Sequence, residues 1–153
     1  MVGAMPRRRP KRARARRPAR AAASATPKPS EAETLLLALA RELAALPAEA
    51  EPGAALRALA AAHAPEAALP RAVARAWIRG REDKTAALAL AWAREQVRLA
   101  LEEILARVPP RGALGGAVAT RAWVVLAAAE SIAHEPPAAA ADRLRTLFEL
   151  LEG

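Results

Sequence analysis

The sequence predicts an all-α domain of six helices, from its composition, its apolar periodicity and its placement of prolines and glycines. The chain has 153 residues, of which 46 are alanine and 20 are leucine, whereas aromatic residues make up only 3%. Alanine and leucine favour helices, and strands would need more β-branched and aromatic residues. From residue 30 onward the apolar residues recur at the 3.6-residue period of a helix, and no useful stretch shows a strand pattern.

Caps and prolines delimit the first three predicted helices. Ser30 followed by Glu33 is a capping-box pattern that starts a helix over 30–46. A proline opens the second helix, over 52–64, and another opens the third, over 70–80, which a glycine ends. The apolar faces of these helices carry Leu35, Leu39, Leu43 and Leu46 in the first, Leu56, Leu59, Ala60 and His63 in the second, and Val73 and Trp77 in the third.

A long fourth helix and a shorter pair complete the predicted domain. The fourth helix covers about 83–108, and a break rich in proline and glycine separates it from helices near 117–134 and 137–151. Arg98 and Glu102 are spaced to form an ion pair on its wetter side. Its inward stripe is predicted to be Leu90, Val97, Leu101, Ile104 and Val108, widened on the flank by Leu88, Trp92 and Leu99.

The last two helices are expected to form a dimer interface. Their faces mix alanine with larger apolar residues, which permits close helix approach, and a helical domain of roughly 120 residues leaves such faces partly uncovered. Pairing with a symmetry mate would give a homodimer with a four-helix interface. The alternative is that both helices pack inside one chain. The expected interface residues are Val118, Ala122, Val125, Ala129, Ile132, Leu144, Leu147, Phe148 and Leu151.

The net charge of +8 comes from the first 30 residues, which hold ten of the 24 basic residues and no acidic ones. The remaining 14 basic and 16 acidic residues give residues 31–153 a net charge of −2. Residues 1–29 are therefore predicted to be a disordered basic tail, and residues 30–153 the helical domain. The tail could contact nucleic acid through phosphates without sequence preference, using Arg7, Arg8, Arg9, Lys11, Arg12, Arg14, Arg16, Arg17 and Arg20.

Other interpretations of the tail remain open at this stage. It could be a targeting peptide or an inert linker, although its prolines leave no plausible amphipathic helix. A coding sequence rich in guanine and cytosine also tends to encode arginine, alanine and proline in any frame, so an incorrectly assigned start or reading frame is a further interpretation. No apolar run is long enough to span a membrane, and we expect a cytoplasmic protein.

Catalytic chemistry is not expected from this sequence. Cysteine is absent, and the two histidines, His63 and His134, have no metal-ligand spacing to other residues on their helices. No phosphate-binding loop, dinucleotide turn or nucleophile elbow is present. We therefore expect no enzyme activity, no metal and no cofactor.

A small-molecule cavity is a more plausible site. Trp77, Trp92 and Trp123 fall on three different helices, and together with His63 they could line a mostly apolar cavity for a small apolar or aromatic effector. The competing interpretation is that the tryptophans fill a core otherwise made of alanine and leucine. That interpretation is favoured for at least two of the three.

Residues 29–153 resemble the C-terminal regulatory domain of TetR-family transcriptional regulators. The resemblance rests on the ordered succession of PSEAETLL at 29–36, EPGAALRAL at 51–59, ALEEILAR at 100–107 before a glycine-rich loop, and DRLRTLFELLEG at 142–153. It implies a domain that binds a small effector within its helical bundle and dimerises through its last two helices.

The residues before this match do not follow the family pattern. TetR-like proteins read DNA with an N-terminal helix-turn-helix domain, whereas the 28 residues before this match lack the apolar residues such a domain needs. The expected function is therefore a TetR-like effector-binding and dimerisation module without an intact DNA-binding domain of its own. The alternative is a small nucleic-acid-associated protein that uses the basic arm, with the helical body as a dimerising scaffold.

Overall fold

A computed structural model describes residues 28–49, 52–107 and 116–152 of the chain, without the side chains of residues 151 and 152. Within these residues the protein is an all-α helical bundle, as the sequence predicts. Its six helices are α1 (Glu31–Ala44), α2 (Pro52–Ala62), α3 (Ala68–Gly80), α4 (Lys84–Ala106), α5 (Val118–Ile132) and α6 (Pro137–Glu152).

The predicted capping box at the start of α1 is confirmed. The Ser30 hydroxyl accepts a hydrogen bond from the Glu33 backbone N–H at 3.3 Å, and the Glu33 carboxylate accepts one from the Ser30 N–H at 3.2 Å. Asp83 caps α4 by accepting from two backbone N–H groups in its first turn. The start of α3 differs from the prediction, because Pro70 lies in the third position of the helix, where its missing N–H has no intrahelical partner to lose.

Helix α4 lies at the centre of the bundle and packs against α1, α3 and α5. Close approach of α3 to α4 depends on Gly80, since a Cβ at that position would lie 3.2 Å from the Cα of Ala87. The predicted inward stripe of α4 is confirmed for Leu90, Val97, Leu101 and Ile104, and the fifth residue, Val108, lies outside the described residues. The core includes Leu36, Leu39 and Leu43 from α1, Leu56 and Leu59 from α2, Leu69 and Ala72 from α3, and Leu90, Val97, Leu101 and Ile104 from α4.

The predicted flank of the α4 stripe is wrong. Leu88, Trp92 and Leu99 are 71%, 55% and 40% exposed, respectively. At 3.6 residues per turn these three side chains lie within about 40° of one another around the helix, roughly opposite Leu90 and Val97. They form an exposed apolar stripe, which we call the α4 outer stripe. Periodicity reveals both faces of such a helix, but it does not show which of two apolar faces the bundle covers.

The face of α5 expected to form the dimer interface is instead part of the chain's own core. Ala122, Val125, Ala129 and Ile132 are each at most 4% exposed within the single chain, because α5 packs against α4, α2 and α6. This corrects the predicted interface and supports the alternative of packing within one chain. On α6, Leu147 is buried, and Leu144 and Phe148 are half-buried, as is Val118 on α5. The side chain of Leu151, the remaining predicted interface residue, is not among those that the structure describes.

One polar residue lies unexpectedly on the buried face of α5. Arg121 is 6% exposed, and its guanidinium donates a long hydrogen bond of 3.5 Å to the Leu105 carbonyl in the last turn of α4. A positive charge there is favourable, because the carbonyl end of a helix carries a partial negative charge. The basic tail residues predicted to contact nucleic acid, from Arg7 to Arg20, lie outside the described residues. Within the described residues no helix combines the length and apolar character that crossing a bilayer would require.

Candidate ligand-binding cavity

A cavity of 430 Å³ lies where the end of α2 and the side of α3 meet the C-terminal part of α5. Its volume falls within the range of roughly 300–1,000 Å³ that is typical of small-molecule sites. Its walls combine small apolar groups with a few polar ones. The lining residues are His63, Pro70, Val73, Ala74, Trp77, Ala127, Glu130, Ser131, Ala133 and His134.

His63 is the buried polar group of this cavity. It follows directly after α2 and is only 3% exposed. Its Nδ1 lies 3.0 Å from the Leu59 carbonyl, one turn back along the chain. Because a carbonyl only accepts, Nδ1 carries the proton, and in the neutral ring Nε2 is then an acceptor. Burial lowers the pKa of His63, and the bond to Leu59 opposes that shift only in part, so the neutral form is favoured.

Trp77 forms the rim of the cavity on α3. The residue is 53% exposed, and the guanidinium carbon of Arg94 on α4 lies 5.9 Å from the ring centroid. At this distance the cation is attracted by the negative face of the indole. The contact positions the flat indole ring at the cavity entrance, where part of the ring is exposed to solvent and part contacts the protein.

Arg94 is held in turn by Glu130 on α5. Its Nε and one terminal nitrogen donate to the two carboxylate oxygens at 2.7 Å and 2.5 Å, a two-point geometry that fixes both side chains. Their side chains are 29% and 26% exposed, so the pair is partly shielded from water. The hydrogen bond to Glu130 raises the pKa of Arg94, so it is charged at any physiological pH. One ion pair thus connects α4, α5 and the Trp77 ring beside the cavity.

The polar groups of the cavity do not form an activated nucleophile. The Ser131 hydroxyl donates to the Ala128 carbonyl at 2.7 Å and not to either histidine. A serine nucleophile needs a base within hydrogen-bond reach, and Glu130 is already engaged by Arg94. Among the described residues no group of three or more histidine and carboxylate side chains could hold a metal ion. The arrangement is suited to binding an apolar molecule with a polar group.

The structure brings together only half of the residues predicted from the sequence to line a ligand site. His63 and Trp77 share the cavity, whereas Trp92 and Trp123 are not among its lining residues. The expectation that at least two tryptophans fill the core is wrong, because all three are more than 50% exposed. The described core is instead filled by alanine, leucine, valine and isoleucine side chains.

Sequence reasoning missed Arg94, Glu130, Ser131 and His134 as part of this site. Arg94 and Glu130 are 36 positions apart on different helices, and no local spacing connects them. Their immediate neighbours give no signal either, since Arg94 is followed by Glu95 and Gln96, and Glu130 by Ser131. His134 was considered only as a metal ligand and excluded, although it lines the same cavity as His63.

A second groove, of 350 Å³ between α1 and α4, is lined by one uncharged polar residue, the half-buried Gln96. Its charged residues, Arg41 and Glu103, are exposed, and no buried donor or acceptor lines it. The cavity beside His63 is therefore the better candidate for a specific ligand. No protein-family model, curated protein or solved structure matches this chain.

Proposed function

We propose that the helical domain is a small-molecule-binding and dimerising module of the TetR-like regulatory type, and that it is not an enzyme. The observation that carries this proposal is the 430 Å³ cavity with the buried His63 inside it and Trp77 at its rim. A buried acceptor within an apolar wall gives a ligand both hydrophobic affinity and a fixed orientation. The resemblance at residues 29–153 supports an effector-binding domain of this kind.

The α4 outer stripe supports dimerisation through a second copy of the chain. Leu88, Trp92 and Leu99 extend over roughly 17 Å of helix, and a half-exposed tryptophan alone offers about 100 Å² of apolar surface. An exposed apolar stripe of this kind fits the centre of an interface that buries roughly 800 Å² per partner. Glu95 lies between Trp92 and Leu99, and its carboxylate accepts hydrogen bonds from Arg98 on the same helix. Its negative charge is therefore already paired when a second copy of the chain packs on the stripe.

Helix α4 offers a physical connection between the two sites. Arg94 contacts the cavity rim through Trp77, and Trp92, two residues earlier, lies on the outer stripe. A ligand that shifts Trp77 and the Arg94–Glu130 pair would act on the helix that carries the dimer face. By thermodynamic linkage, a ligand that strengthens dimerisation must itself bind more tightly to the dimer.

A screen of neutral aromatic fragments by thermal shift tests this proposal. A ligand that fills the cavity at a hundred times its Kd should stabilise the fold by about 2.7 kcal/mol. Filling the cavity with a larger side chain, Ala74→Phe, should abolish the shift, whereas Ala44→Phe on the exposed end of α1 should preserve it. If no fragment gives a saturable shift, or if the shift survives Ala74→Phe, the proposed site is wrong.

The basic arm supports a second candidate function, nonspecific nucleic-acid binding with the helical body as a dimerising scaffold. Ten basic and no acidic residues in the first 30 positions would attract phosphates. Deleting residues 1–28 should abolish duplex DNA binding at low salt and leave the thermal stability and the oligomer mass unchanged. If the full-length chain binds no DNA at low salt, this function is excluded, and the ligand-binding proposal is unaffected.

A further inference from the structure

The cavity contains a buried polar atom to which the described residues donate no hydrogen bond. His63 directs its Nδ1–H at the Leu59 carbonyl, and Nε2 on the other side of the ring receives no bond from any described residue. Nε2 is also not fully buried. Among the described residues, one side-chain nitrogen or oxygen is both fully buried and without a hydrogen-bond partner, and it is Nε of Arg121, not Nε2 of His63. Since His63 is 3% exposed and lines the cavity, the cavity is where Nε2 is open.

An acceptor in this position determines which polar group a ligand must bring. A ligand that fills the cavity excludes water from Nε2, so the acceptor loses a hydrogen bond unless the ligand itself supplies an O–H or N–H. A ligand that offers only a carbonyl or ether oxygen would place two acceptors against each other. The bond at Leu59 keeps the ring in the tautomer that accepts at Nε2.

The charges beside the cavity favour a neutral ligand. The Glu130 carboxylate already accepts two hydrogen bonds from Arg94, so neither group of this pair is free to hold an ion. An anionic ligand would meet this carboxylate and the lone pair on Nε2, and a cationic ligand would compete with Arg94. Two further polar residues line the cavity: Ser131, whose hydroxyl donates to the Ala128 carbonyl, and the exposed His134. The other lining residues, including Pro70, Val73 and Trp77, are apolar or aromatic.

We propose that the cavity selects a neutral aromatic molecule with one hydrogen-bond donor, of the phenol or N–H heterocycle class. Its donor binds Nε2 of His63, and its ring lies against Trp77 and the apolar wall. This inference rests on the proposed ligand-binding function, because it names the chemistry of the molecule that the same cavity would take.

Three matched probes on the full-length chain test the inference: 4-butylphenol, 4-butylanisole and 4-butylbenzoate, titrated by calorimetry at neutral pH. They share the ring and the alkyl chain and differ only in the polar group. We expect the phenol to bind about five to ten times more tightly than the anisole, which is the usual contribution of one hydrogen bond. We expect the benzoate to bind more weakly than either.

Variants of the two histidines assign the effect to one ring. His63→Phe keeps an aromatic ring but no acceptor, and it should reduce phenol affinity to that of the anisole while leaving anisole affinity unchanged. His134→Phe is the matched control in the same cavity and should keep the difference between the two probes. The comparison of phenol with anisole on the unmodified chain remains decisive if His63→Phe does not fold.

The outcomes separate this inference from the proposed function. Equal binding of phenol and anisole would overturn the donor requirement while the cavity remains a ligand site. Tighter binding of the benzoate, or loss of the difference in His134→Phe alone, would also overturn it. If none of the three probes binds, the inference is overturned, and the proposed function fails if the fragment screen is also silent.

Discussion

Arg94 on α4 and Glu130 on α5 form a two-point ion pair at 2.7 Å and 2.5 Å, and the pair borders the cavity that His63 and Trp77 line. The two side chains are about one-quarter exposed. This geometry gives the pair two roles. It connects the two helices across their contact, and it holds a cation against the face of Trp77.

Removing one member of this pair should destabilise the fold. Glu130→Gln leaves the Arg94 guanidinium partly shielded without its anion, and we expect a loss of about 1–2 kcal/mol in the free energy of unfolding. The matched control is Glu31→Gln, which breaks an ion pair with Arg75 whose two side chains are more than half exposed. There we expect a loss below about 0.5 kcal/mol, because water screens exposed pairs. Urea denaturation of both variants measures the difference, and equal losses would contradict this assignment.

Truncation of two leucines on α4 should change the free energy of unfolding by very different amounts. Leu90 is 1% exposed and Leu88 is 71% exposed, although the sequence predicted Leu88 on the flank of the inward stripe that contains Leu90. We expect Leu90→Ala to cost about 2–5 kcal/mol through lost burial and the cavity it leaves. At concentrations where the chain is monomeric, Leu88→Ala should change stability by less than about 0.5 kcal/mol. Urea denaturation of both variants measures the two losses. A large loss for Leu88→Ala in the monomeric chain would mean that α4 is rotated about its axis, with Leu88 facing the core.

Acidification should destabilise the chain through His63. The folded pKa lies below the ordinary value of about 6.5, so between these two values the unfolded state binds more protons than the folded state. The contribution of the neutral His63 ring to the free energy of unfolding is therefore complete above the pKa of His63 in the unfolded chain. It decreases as the pH falls through that value towards the lower pKa of His63 in the folded chain. Arg94 and Glu130 face the ring with opposite influences, and burial outweighs both.

Thermal unfolding of His63→Gln from pH 7.5 to pH 5 measures this effect. The variant should have a flatter pH profile than the unmodified chain across this window, whereas the control His134→Gln should keep the original slope. Parallel profiles of the unmodified chain and His63→Gln would show that the ring is not held neutral by burial.

The α4 outer stripe should determine the oligomeric state. Trp92→Glu places a charge at the centre of the stripe, and we expect the dimer dissociation constant to rise by about thirtyfold or more. The matched control is Ile78→Glu on α3, which is 70% exposed but outside the stripe, and it should leave the constant unchanged. Sedimentation equilibrium measures both. A monomeric unmodified chain, or a Trp92→Glu variant that dimerises normally, would contradict the proposed interface.

Local chemistry explains which parts of the fold were predictable. Ser30 and Glu33 are three residues apart, and the box they form is a local property of the chain, so its place follows from spacing alone. The same holds for the inward stripe that contains Leu90 and Val97. By contrast, Trp92 and its neighbours on the outer stripe form a second apolar face, and only the positions of the other helices decide which face is covered.

The site was predictable only in part, for a related reason. The placement of His63 one turn after Leu59, in line with the apolar face of α2, follows from the helical period, and its hydrogen bond to the Leu59 carbonyl spans that turn. Trp77 was identified because tryptophan is scarce, whereas Trp123, equally scarce, lies away from the cavity. The Arg94–Glu130 contact depends on how α4 and α5 pair in space, and a single sequence contains no signal for that register.

The emission of Trp77 during a ligand titration tests the central claim, that the cavity beside His63 binds a small molecule. A protein with Trp92→Phe and Trp123→Phe retains Trp77 as its sole tryptophan, and Trp77→Phe with Trp92→Phe retains only Trp123 as the control. With 4-butylphenol, and excitation at the red edge of tryptophan absorption, we predict a saturable change in the Trp77 emission and none in the Trp123 emission. No saturable change for Trp77, or an equal change for Trp123, would contradict the claim.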